Sequence, residues 1–116
     1  MKQAFTGADI FDGHVLHPGA CLVTENGKVL GIWADAPADA QVVRLPSGTL
    51  APGFLDLQVN GGGGVMVDGQ TTADTLAQLC ALHGRLGATG ILPTLITDTP
   101  DATQRVIHAG IEAARA

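Results

Sequence analysis

The chain has 116 residues, of which 46% are hydrophobic, and a formal net charge of −5. It is long enough for a packed core and too apolar for a disordered segment. Its six Lys and Arg residues are scattered, which excludes the basic patch needed for nucleic-acid binding. Because the sequence shows no secretory signal and no apolar run of ~20 residues, we expect a cytoplasmic protein without a membrane partner.

The first 50 residues carry the signals of short antiparallel strands. Asn26-Gly27 separates the apolar runs 20–24 and 28–33, and Asn-Gly in this position indicates a tight hairpin. Glycine and proline pairs punctuate the remainder of this half, as is typical of turns between strands. We therefore predict a small β-sandwich segment over residues 1–50.

After Pro52 the pattern changes to alternating strands and helices. Thr71 or Thr72 is placed to cap the first helix, and Thr99-Pro100 is a typical helix start. The predicted elements are a strand over 53–59, a helix from 71 or 72 to about 86, a strand over 90–96 and a helix from 99 onward. The order β-α-β-α is the unit of a parallel α/β sheet.

The carboxyl end of the first of these strands is the candidate site. Since side chains alternate along a strand, one face should carry Phe54, Asp56, Gln58 and Asn60, and the other Leu55, Leu57 and Val59. A polar row in an apolar strand is costly unless it faces a hydrated cavity or a ligand. The run 61–64 consists of four glycines. It lacks the phosphate-loop pattern and is predicted to be a flexible loop, or alternatively a place where backbone approaches a ligand.

The histidines and cysteines look structural. Cys21 and Cys80 lie in apolar patterns, too far apart for a metal knuckle or redox pair, and we expect both to be buried. We expect His14 and His17 to be solvated, and none of the histidines to bind a metal. The histidines of the two helices, His83 and His108, are expected on an outer surface. Asp56 is expected to hold strands or a loop together, and Thr94 and Thr97 either bond to backbone or reach the site.

Two segments resemble a known family. Pro52-Gly-Phe-Leu-Asp56 followed by Gln58-Val-Asn60-Gly-Gly-Gly-Gly, together with Leu92-Pro-Thr-Leu-Ile-Thr97, resemble the N-acetylglucosamine-6-phosphate deacetylase family of the amidohydrolase superfamily. The resemblance implies an α/β protein in which residues 51–116 are the first two βα units of an incomplete (β/α)₈ barrel. It also implies hydrolysis of N-acetylglucosamine 6-phosphate to glucosamine 6-phosphate and acetate, by a homo-oligomeric enzyme that uses one divalent metal ion, zinc or iron.

Where many amidohydrolases have two metal-binding histidines, this chain has Gln58 and Asn60. Uncharged amides are poor ligands for transition metals, so we expect no metal ligand and no catalytic group in this chain. The resemblance assigns Gln58 and Asn60 to the orientation of water or substrate near the ion.

A complete barrel takes ~250 residues, so we interpret the chain as an N-terminal fragment, inactive and prone to self-association. Two alternatives remain open. One is an amidohydrolase for another N-acyl compound or a cyclic amide, and the other is a non-catalytic module that completes a partner chain through its open sheet edge.

Overall fold

The computed structural model describes residues 1–115. The chain has a mixed α/β fold and divides into two compact units, Met1–Pro52 and the part from Gly53 onward. Each unit has its own sheets and its own buried residues. Of the described residues, no helix has both the length and the apolar character needed to cross a membrane.

The first unit contains seven strands in two sheets. They are β1 (Lys2–Thr6), β2 (Asp9–Phe11), β3 (Leu16–His17), β4 (Cys21–Glu25), β5 (Lys28–Trp33), β6 (Gln41–Arg44) and β7 (Thr49–Leu50). One sheet has the order β5-β4-β1-β6 and the other β3-β2-β7. The first sheet buries Ala4, Cys21 and Val23, against which Ala36 and Ala40 pack.

The predicted hairpin is confirmed. Asn26 and Gly27 have φ values of 52° and 77°, and two successive positive φ angles are what a two-residue hairpin turn with the right twist requires. The flanking strands β4 and β5 pair antiparallel from Cys21↔Trp33 to Glu25↔Lys28.

The second unit follows the predicted β-α-β-α order. Its elements are β8 (Phe54–Val59), β9 (Gly61–Gly62), β10 (Val65–Met66), α1 (Ala73–Gly84), β11 (Ala88–Pro93) and α2 (Pro100–Ala113). Strands β8 and β11 are parallel, as expected for strands joined through a helix. The side chain of Thr72 caps α1, and Thr99 caps α2 with proline at the first helical position.

The core of this unit lies between the two helices and β11. Its buried members are Val67, Leu76, Leu79, Val106 and Ala109, and Ile91, Leu95 and Ala113 pack against them.

Two expectations about α1 are wrong. Cys80 is exposed, whereas Cys21 is buried as predicted. Each helical residue is rotated about 100° from the last, so Cys80 turns away from the core that Leu79 enters. The helix also ends at Gly84 rather than near Leu86, and Leu86 is 74% exposed.

Candidate functional site

Strand β8 does not alternate strictly up to its carboxyl end. Its partner positions on β11 are Asp56↔Ile91 and then Val59↔Pro93, with a register shift between them. Three positions of β8 therefore span two positions of β11, which is the signature of a β-bulge. The shared polar face of Phe54, Asp56, Gln58 and Asn60 stays a prediction, and the register shift lies within the stretch that carries it.

Asp56 lies beside α1 and bonds to its own strand. Its Oδ1 accepts a hydrogen bond from the Gln58 N–H at 3.1 Å, and its Oδ2 is 3.9 Å from Nδ1 of His83. The carboxylate thus satisfies a backbone donor within the bulge and faces an imidazole from the helix. This arrangement gives Asp56 the supporting role predicted for it.

Two hydrogen bonds hold Asn60 in place, one through its side chain and one through its backbone carbonyl. Its side-chain Nδ2 donates to the carbonyl of Thr94 at 2.9 Å, and its own carbonyl accepts from the Val67 N–H at 2.7 Å. The Thr94 N–H in turn donates to the Val59 carbonyl, and the Thr94 hydroxyl donates to the Leu92 carbonyl. These bonds use one of the two N–H donors of the Asn60 amide and leave its second N–H and its amide oxygen available.

The Gln58 side chain is exposed and makes no hydrogen bond within residues 1–115. Its amide retains two donors and an acceptor for a ligand or water. At the end of β8, the Gln58 side chain is therefore unengaged, and the Asn60 side chain, just after the strand, is tethered.

The glycine run is a hairpin, not the flexible loop predicted. Strands β9 and β10 pair through Gly61↔Met66 and Gly62↔Val65. A Cβ on Gly61 would clash with the backbone carbonyl of Val65, and one on Gly62 would lie 2.7 Å from Cδ2 of Leu82. Glycine is required at position 61 because the hairpin packs directly on the backbone of its own return strand, whereas a Cβ at position 62 would meet only side-chain atoms of α1.

His83 lies beside the candidate site, which the sequence analysis did not predict. Its Nε2 lies 3.2 Å from the Gly61 carbonyl oxygen, and its side chain is only 16% exposed. The expectation that this histidine covers an outer surface is therefore wrong. A signal was present in the helical spacing, since His83 follows the buried Leu79 by four residues and lies on the same face of α1.

The remaining histidines lie elsewhere. In the first unit, Nε2 of His17 is 2.9 Å from Oδ2 of Asp12. In the second, the exposed His108 contacts Gln104 on α2 through a 3.1 Å hydrogen bond. Within residues 1–115, no group of three His, Cys, Asp or Glu side chains is arranged to hold a metal ion.

Comparison with known proteins finds similar sequences among the amino-sugar 6-phosphate deacetylases. No protein-family model matches the chain. It is 45% identical over 111 residues to N-acetylgalactosamine-6-phosphate deacetylase of Shewanella sp. (strain ANA-3), covering 92% of this chain and 28% of that protein. It is 34% identical over 105 residues to N-acetylglucosamine-6-phosphate deacetylase of Haemophilus influenzae, covering 87% of this chain and 27% of that protein. The chain thus spans less than a third of the length of these relatives.

Solved structures of N-acetylglucosamine-6-phosphate deacetylases have a fold similar to that of this chain. The chain superimposes on N-acetylglucosamine-6-phosphate deacetylase from Pasteurella multocida with a TM-score of 0.89 and 30% identity, covering 99% of this chain and 31% of the other. The Mycobacterium smegmatis deacetylase gives a TM-score of 0.80 at 30% identity, with 97% and 32% covered. Dihydropyrimidinase from Brevibacillus agri, at 21% identity and a TM-score of 0.66, shares the fold over 97% of this chain and 24% of its own.

Proposed function

Because this chain is homologous to the amino-sugar 6-phosphate deacetylases, we propose that it forms the N-terminal part of such an enzyme. The whole enzyme would hydrolyse the acetamide of N-acetylglucosamine 6-phosphate to give glucosamine 6-phosphate and acetate. The observation that carries this proposal is the 45% identity over 111 residues, together with the placement of Gln58 and Asn60 at the end of β8. Its cytoplasmic location and homo-oligomeric assembly stay predictions.

The architecture proposed for that enzyme assigns residues 1–50 to a small β-sandwich segment and residues 51–116 to the first two βα units of a (β/α)₈ barrel. Two features support the assignment. The chain divides between Pro52 and Gly53, and the parallel strands β8 and β11 are joined through α1, as in successive strands of such a barrel.

Gln58 and Asn60 are proposed to orient the sugar or the attacking water. At the carboxyl end of a barrel strand, side chains face the place where substrates bind. Tethering of Asn60 to Thr94 would present a fixed amide oxygen, while Gln58 adds donors and an acceptor. Amides fit a hydrated sugar better than a transition metal, so we place the ligands of the divalent metal ion outside this chain.

A second substrate deserves a test of its own. The relative at 45% identity is named for the galactosamine sugar and the one at 34% for the glucosamine sugar. The two substrates differ only in the configuration of one ring hydroxyl, so we propose N-acetylgalactosamine 6-phosphate as the second candidate. The likeness to dihydropyrimidinase concerns the fold and lends no support to a cyclic amide substrate.

A chimaera tests the proposal directly. This chain would replace the matching segment of the Shewanella deacetylase, and acetate release would be measured with both amino-sugar phosphates. We expect an active chimaera whose kcat/KM falls about tenfold in each of Gln58→Ala and Asn60→Ala, the effect of losing roughly one hydrogen bond in a desolvated site. The control is Gln41→Ala, which removes an exposed amide of the first unit.

Either of two results would contradict the proposal. The first is a folded chimaera that hydrolyses neither sugar. The second is an active chimaera in which Gln58→Ala and Asn60→Ala retain the activity of Gln41→Ala.

A further inference from the structure

One helical side chain connects the two backbone segments that carry Gln58 and Asn60. His83, on α1, lies 3.9 Å from the Asp56 carboxylate through Nδ1 and 3.2 Å from the Gly61 carbonyl through Nε2. Asp56 is bonded to the backbone N–H of Gln58, and Gly61 follows Asn60 directly. The contacts therefore run from Gln58 through Asp56 and His83 to the residue after Asn60.

The kind of atom on each side of the His83–Gly61 contact determines which one donates the hydrogen bond. A carbonyl oxygen only accepts hydrogen bonds, so Nε2 of His83 carries the proton directed at Gly61. The other ring nitrogen faces a carboxylate, which also accepts. His83 thus forms one hydrogen bond, from Nε2 to the Gly61 carbonyl, and its Nδ1 faces the Asp56 carboxylate at 3.9 Å, a distance too long for a hydrogen bond.

The surrounding backbone is built for this close approach. A Cβ on Gly62 would lie 3.1 Å from Nε2 of His83 and 2.7 Å from Cδ2 of Leu82, so a side chain at this position would displace the ends of these two side chains. On the strand side, the register of β8 shifts between Asp56 and Val59. The segment that carries Gln58 is therefore held in part by a side chain, the carboxylate of Asp56, rather than by regular strand pairing alone.

We propose that His83 is a positioning residue for the reaction, which sets the placement of Gln58 relative to Asn60 without touching the substrate. This inference rests on the proposed function, since it takes those two amides as the groups that meet the sugar or water. A displacement of about 1 Å in such groups is enough to lower catalysis markedly.

The first test measures amide hydrogen exchange by NMR or mass spectrometry on the chimaera. His83→Ala is expected to speed exchange of the Gln58 N–H at least tenfold, because Asp56 loses its partner on α1. The matched control is His108→Ala, which removes an exposed histidine from α2. His83→Gln, which offers an amide N–H toward Gly61, guards against a variant that fails to fold and is expected to restore part of the protection.

The second test uses the chimaera. We expect His83→Ala to lower kcat about tenfold with little change in KM, His83→Gln to recover part of that loss, and His108→Ala to match the parent. Unchanged exchange at Gln58 in His83→Ala would overturn the proposal whatever the activity, as would a kcat equal to that of His108→Ala. An inactive parent chimaera with fast exchange in His83→Ala would instead contradict the proposed function and leave the contact established.

Discussion

Asp12 organises a turn of the first unit through three acceptor contacts. Its Oδ1 accepts from the N–H groups of His14 and Val15 at 2.8 and 2.7 Å, and its Oδ2 lies 2.9 Å from Nε2 of His17. The hydrogen bond from His17, followed by those two backbone bonds, holds the pKa of Asp12 well below its ordinary value. The expectation that His17 is merely solvated missed this pairing, because turn-rich sequences do not fix which side chains meet.

The lowered pKa of Asp12 predicts a pH-dependent contribution to stability. A carboxyl group with a lower pKa in the folded state stabilises the fold above its unfolded pKa of ~3.9, and that contribution fades as the pH falls toward the folded value. We expect Asp12→Asn to be less stable than the parent at pH 7, and the difference to shrink between about pH 4 and pH 2. Chemical denaturation across this range measures it.

The control for that experiment is Asp35→Asn, since Asp35 is exposed and forms no side-chain hydrogen bond or ion pair within residues 1–115. A constant difference between Asp12→Asn and the parent from pH 7 to pH 2 would contradict the prediction, as would an equal response in Asp35→Asn.

At the same scale, the sequence pointed to some residues of the candidate site and not to others, for a physical reason. Gln58 and Asn60 were recognisable from their place at the end of an apolar strand and from the family resemblance. Their partner His83 was not, because its contact with Gly61 joins residues 22 positions apart. The helical spacing placed His83 on the buried face of α1, but which group it meets there depends on how α1 packs.

Among the secondary-structure elements, the sequence correctly predicted those whose backbone conformation depends on a few neighbouring residues. Asn26-Gly27 predicted a hairpin and Thr99-Pro100 a helix start, because both depend on backbone conformation within a few residues. The β-bulge in β8 and the pairing of Gly61 with Met66 depend on register with a neighbouring strand. Consecutive glycines show no side-chain alternation, so the second hairpin was not recognisable from the sequence.

The glycine hairpin leads to a paired prediction. Gly61→Ala places a Cβ against the Val65 carbonyl, and we expect it to destabilise the second unit by roughly 1–3 kcal/mol through backbone strain. Gly110→Ala lies within α2 with no atom in the way, and we expect it to stabilise by about 1 kcal/mol, the helix preference of alanine over glycine. Urea denaturation of both variants measures the difference, and equal stabilities would show that the hairpin does not constrain Gly61.

For the molecule as a whole, the second unit leaves an apolar strand uncovered. Phe54, Leu55 and Leu57 are 72%, 71% and 70% exposed, although large apolar side chains in a strand are normally packed. Within residues 1–115, β8 pairs only with β11, so its other edge presents unpaired backbone groups, and such edges invite pairing with another chain. Leu92 and Ile96 add to the exposed apolar surface at 56% and 58%.

This surface predicts that the 116-residue chain self-associates through its second unit. Since we place the metal ligands outside this chain, we also expect that it does not deacetylate either sugar. Light scattering of the purified chain should show species larger than a monomer. Leu57→Lys should shift them toward monomer, because a charge on an exposed strand position opposes pairing while costing the folded unit little. Val29→Lys, at a 64% exposed strand position of the first unit, adds the same charge and should leave association unchanged. A monomeric parent would contradict the role assigned to β8, and an equal shift in both variants would point to net charge as the cause.

Hydrolysis by the chain alone would overturn its assignment as one part of the catalytic domain.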